Sequence, residues 1–100
     1  MELLKILKDL KEKEITNEDL ISLAKYINLK KATINIEELK TETYSELKQY
    51  IIDLSFRIDT NIEVFPIKTA SYVKSYLEEL LFRIMIREKQ NSKNENVETI

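Results

Sequence analysis

The chain has 100 residues, 16 basic and 18 acidic side chains and a net charge of −2, and it contains no glycine, histidine or cysteine. Glycine-rich phosphate loops are excluded, because such loops need left-handed turns and close backbone approach. Imidazole bases, thiolate nucleophiles, disulfides and the usual zinc and copper ligands are excluded as well. We therefore expect a protein that is not an enzyme and has no cofactor, no metal site and no catalytic residue.

The composition is typical of one small, mainly helical domain, since 43% of the residues are apolar and 34% are charged. Every apolar stretch is too short to span a bilayer, and the charged segment 1–13 lacks the apolar core of a signal peptide. We expect an all-α fold, a bundle of about four helices with a long C-terminal helix. Residues 1–90 are predicted to form this single domain. The protein is expected in the cytoplasm.

Apolar spacing and one cap predict the first two helices. The first, over residues 2–13, has an apolar face formed by Leu3, Leu7 and Leu10. Thr16 and Asp19 then have the spacing of a capping box, in which each side chain accepts a hydrogen bond from the other's backbone. This box predicts a second helix over residues 17–27.

Two segments have weaker patterns. Residues 28–40 alternate apolar side chains at Ile34 and Ile36 as a strand does, but other spacings in the segment are helical, and we predict a helix. Residues 59–68 contain Pro66, which disfavours helical geometry at the residue before it. Here we predict a link with a short extended piece.

Between these segments, Thr43 and Glu46 have capping-box spacing and predict the start of a third helix. Its apolar stripe begins at Leu47 and continues through residues 50, 51 and 54 to Ile58.

The last helix, predicted over residues 70–90, is apolar on most of its sides. A surface helix needs an apolar face of only about 100°. We therefore predict that this helix packs against a partner or a second copy of the chain. The predicted interface comprises Leu77, Leu80, Leu81, Phe82, Arg83, Ile84, Met85 and Arg87. The polar residues 91–100 are predicted to be a flexible tail.

One resemblance covers residues 20–34, which are similar to a helix-turn-helix of small archaeal and bacterial DNA-binding domains. The matching residues are Leu20, Leu23, Ala24, Ile27, Asn28, Leu29, Lys31, Ala32, Thr33 and Ile34. Asn28 replaces the glycine of the turn, since asparagine tolerates the left-handed region. The resemblance implies a small transcriptional regulator that dimerises through its last helix. Its DNA contacts would come from Lys30, Lys31, Thr33 and Asn35. An ordinary helix-loop-helix corner is the alternative.

A second resemblance covers the C-terminal half, which looks like the helical A domain of the GINS replication proteins, particularly the short archaeal subunits. It is carried by Tyr44, Leu47, Tyr50, Ile51, Leu54, Leu77, Leu80, Phe82, Arg83, Ile84 and Arg87. The sequence departs from the family in having Thr43 where an aromatic pair is usual, and the β-rich B domain has no counterpart in these 100 residues. The resemblance implies a non-catalytic scaffold subunit of a replication assembly, with replicative helicase or primase components as partners.

Charge favours the scaffold over the regulator. Proteins that bind phosphates need a basic surface, whereas this chain is slightly acidic and has a strongly apolar last helix. We therefore expect the leucines, Ile84 and Met85 of the predicted interface to be buried against a partner helix. Arg83 and Arg87, one turn apart, are expected at the rim of that contact. DNA would be contacted only indirectly.

Overall fold

Four α-helices make up the fold in the computed structural model, which describes the backbone of residues 1–99 and the side chains of residues 1–91. The helices are α1 (Glu2–Lys11), α2 (Asn17–Lys30), α3 (Thr41–Thr60) and α4 (Ile67–Thr99). Two short 3₁₀ helices join α2 to α3, and the described backbone has no strand. The predicted all-α bundle with a long C-terminal helix is confirmed. In the described residues, no helix combines the length and the apolar character needed to cross a membrane.

The capping box at the start of α2 is confirmed. The Asp19 backbone N–H donates to Thr16 Oγ1 at 3.2 Å, and the Thr16 backbone N–H donates to Asp19 Oδ2 at 2.9 Å. Together the two bonds satisfy backbone donors that the first turn of a helix leaves without partners. α2 continues to Lys30, three residues beyond the predicted end.

The predicted helix over residues 28–40 is wrong beyond the end of α2. Two 3₁₀ helices, Lys31–Thr33 and Ile36–Glu38, flank extended backbone at Ile34 and Asn35. Ile34 and Ile36 are both buried, at 8% and 0% exposure. In an α-helix, side chains two residues apart point about 200° apart, so one core cannot easily cover both. Burial of both isoleucines therefore favours a break in the helix.

The start of α3 also differs from the prediction. The helix begins at Thr41 after Lys40, without a side-chain cap, so the predicted capping box of Thr43 and Glu46 does not form. Instead, the Tyr50 hydroxyl donates to Glu46 Oε1 at 3.2 Å. Tyr44 is buried as the first member of the apolar stripe of this helix.

The link between α3 and α4 is a turn and not an extended piece. The Val64 N–H donates to the Asn61 carbonyl at 2.9 Å, and Phe65 is buried. Pro66 stands immediately before α4, where its carbonyl accepts from the Ala70 N–H at 2.9 Å. The non-helical geometry expected before the proline is confirmed, but α4 starts three residues earlier than predicted.

Three contacts between helices form the core: one within each of two helix pairs, and a central one that joins the pairs. α1 packs on α3, α2 packs on α4, and α3 packs on α4. α4 contributes a stripe with alternating spacings of three and four residues, formed by Ala70, Val73, Leu77, Leu80 and Ile84. Such spacing keeps one side of a helix against its neighbours over several turns.

The predicted tail over residues 91–100 coincides with the end of α4, which continues to Thr99. The side chains after Asn91, and the whole of Ile100, lie outside the described residues. That these residues form a flexible tail stays a prediction.

Candidate protein-binding face

Two ion pairs connect α3 and α4 on the surface of the bundle. Lys48 Nζ lies 2.8 Å from Glu88 Oε1, and Lys74 Nζ lies 2.6 Å from Asp59 Oδ1. The hydrogen bond to Asp59 raises the pKa of Lys74 above its ordinary value, with Glu78 adding a smaller effect. Since residue numbers rise along α3 as their partners fall along α4, the two helices are antiparallel. The pairs are solvated and contribute little stability, but they mark the register of the two helices.

Between these ion pairs, both helices expose large apolar side chains. Ile52 and Phe56 of α3 are 54% and 65% exposed. Phe82 and Met85 of α4 are 64% and 54% exposed. On each helix the two residues lie three or four positions apart, so they share one side, away from the buried stripe. We call these four residues, with the half-buried Leu81, the outer face.

The size of the outer face sets it apart from ordinary scattered surface residues. Its four exposed side chains present on the order of 450 Å² of apolar area, taking roughly 200 Å² for each complete side chain. The largest apolar patch on a typical monomer covers about 300 to 600 Å² and is often functional. The four side chains together expose an area of this size, on two helices that are anchored in the core.

The structure divides the predicted interface of α4 into two groups. Leu77, Leu80 and Ile84 have 0% exposure because they fill the core of their own bundle, so they are not available to a partner. This corrects the expectation that they are buried against a partner helix. Phe82 and Met85 are exposed on the outer face. α4 is apolar on most sides because one side packs in the core and another exposes apolar side chains to solvent.

Two of the four exposed residues of the outer face were not predicted from the sequence. Ile52 and Phe56 are one helical turn apart, on the side of α3 opposite its buried stripe. The sequence pattern that could have identified them is an apolar pair, one helical turn apart, among polar residues. That pattern did not show whether the pair would be covered by another part of the chain.

The two predicted rim arginines make contacts within the chain. Arg83 Nη2 lies 3.3 Å from Glu37 Oε2, and Arg87 Nη1 donates to Gln90 Oε1 at 3.4 Å. The pKa of Glu37 is lowered, chiefly by a hydrogen bond from its own backbone and secondarily by Arg83. With Ile86, these arginines line a groove beside the second 3₁₀ helix. Arg83 therefore pairs with the irregular segment between α2 and α3, and its place at the rim of a partner contact stays a prediction.

Of the four residues predicted to contact DNA, one ends α2 and the other three lie on the irregular segment that follows. Lys30 ends α2, Lys31 and Thr33 belong to the first 3₁₀ helix, and Asn35 caps the second. The Thr33 hydroxyl donates to the Lys30 carbonyl at 2.8 Å, and Asn35 Oδ1 accepts from the Glu37 N–H at 3.2 Å. A helix able to enter a groove does not follow, because the next α-helix begins only at residue 41. DNA contact by these four residues stays a prediction.

Comparison with known proteins returned no match: no family model, no curated protein and no solved structure matches the chain. The resemblances to the GINS A domain and to a helix-turn-helix therefore rest on the sequence patterns alone.

Proposed function

We propose that this chain is a non-catalytic protein-binding subunit that docks a partner on its outer face. The observation that supports this role is the exposure of four large apolar side chains, at 54% to 65%, on two packed helices. At about 25 cal/mol per Å², covering roughly 450 Å² would contribute about 11 kcal/mol before the costs of association. Those costs are about 4 to 15 kcal/mol, so further contacts around the face are needed for tight binding.

The anchoring of the outer face favours binding. Ile51 and Leu54 on α3, and Leu80 and Ile84 on α4, lie beneath it and are at most 2% exposed. The backbone that carries the exposed side chains is therefore held in place before a partner arrives. A preorganised surface loses less conformational entropy on binding than a loop that must become ordered.

The setting we propose is an intracellular DNA replication assembly, in which this chain acts as a scaffold or accessory subunit. The resemblance to the GINS A domain supports this setting, because subunits of that family pack through helices. Partners would be helicase or primase components, and any DNA would be contacted through them. The alternative of a helix-turn-helix regulator has less support, since Lys30 and Lys31 lie at a helix end and on a 3₁₀ turn.

Affinity capture with matched variants tests the proposal. Phe56→Asp and Phe82→Asp place a charge on the outer face, whereas Leu29→Asp places one at another exposed apolar position, 78% exposed on α2. From nuclease-treated lysate of the native host, the parent and Leu29→Asp should capture the same proteins. Both face variants should lose them while keeping a helical circular dichroism spectrum.

Each result of this capture experiment has a defined meaning. Loss of helicase or primase components with the face variants would support the replication setting. Loss of unrelated proteins would support the face and overturn that setting. Equal capture by all four proteins would overturn the outer face as the docking surface. Duplex DNA binding that is lost in Lys30→Glu and Lys31→Glu would favour the regulator.

A further inference from the structure

We draw no further inference here: the strongest candidate, the apolar outer face on α3 and α4, already carries the proposed function, and nothing in the part of the chain that the structure describes shows what covers it.

Discussion

A single arginine ties the end of the first helix to the third. Arg57 Nη1 donates to the Leu10 carbonyl at 2.8 Å, and its Nη2 donates to the Lys13 carbonyl. These carbonyls belong to the end of α1 and the turn after it, where the last carbonyls of a helix have no partner within the helix. Asp53 lies 3.4 Å from the same guanidinium, one helical turn away on α3.

We predict that Arg57→Met lowers the free energy of unfolding by about 1 to 3 kcal/mol, because two carbonyls, of which the Leu10 contact is partly buried, lose a charged donor. Asp53→Asn is the matched control, since it removes only a solvated ion pair and should cost at most about 1 kcal/mol. Urea denaturation followed by circular dichroism measures both. Equal losses in the two variants would show that the ion pair, and not the two carbonyl contacts, accounts for the effect.

At the scale of elements, the start of α2 depends on one carboxylate. Asp19 accepts from the backbone of Thr16 and from Lys13 Nζ, whose nitrogen lies 2.9 Å from Oδ1. The hydrogen bond from Lys13 is the largest cause, and the backbone N–H of Thr16 the next, of a pKa for Asp19 below its ordinary value of 3.8. The ionised form is therefore favoured by the folded state.

A lowered pKa makes this contribution to stability depend on pH. It is present above the ordinary pKa of 3.8 and is lost as pH falls through the lower pKa of the folded state. We predict that Asp19→Asn is less stable than the parent at pH 7 and that this difference shrinks below about pH 4. Urea titrations from pH 2 to 7 measure it, with Glu18→Gln as the control that keeps the capping contacts. A difference that is constant across this range would contradict the prediction.

At the scale of the whole molecule, α4 has two roles, because some of its side chains fill the core and others form the outer face. Phe82 and Ile84 are two positions apart, so their side chains point to nearly opposite sides of the helix. Ile84 has 0% exposure in the core, whereas Phe82 is 64% exposed on the outer face. The same substitution at the two positions should therefore affect different properties of the protein.

We predict that Ile84→Asp unfolds the domain or costs at least about 4 kcal/mol, because it buries an unpaired charge. This is a large part of the roughly 5 to 15 kcal/mol that stabilises a small domain. Phe82→Asp should change the stability of the monomer by at most about 1 kcal/mol. Thermal denaturation at a concentration where both proteins are monomeric measures the difference. Similar losses at the two sites would show that Phe82 is part of the core.

Local patterns in the sequence determined the helical class and much of the helix layout. The leucine spacing of α1 and the Thr16 and Asp19 box of α2 were sufficient, because a periodic face and a cap depend on residues at most four positions apart. The box predicted at Thr43 does not form, because α3 begins three residues earlier than predicted, at Thr41. The helix predicted through Ile34 and Ile36 is wrong because the rest of the fold buries both side chains.

Only the tertiary structure decided which apolar side chains are covered. The sequence shows that Phe82 and Ile84 lie on different sides of one helix, but their periodicity does not say which side meets the rest of the chain. Ile52 and Phe56 join the candidate site only because α3 packs antiparallel to α4, in the register marked by Lys48 and Lys74. Periodicity is a local property of the backbone, whereas coverage depends on contacts between residues far apart in the chain, and the packing of α3 on α4 therefore determines the outer face.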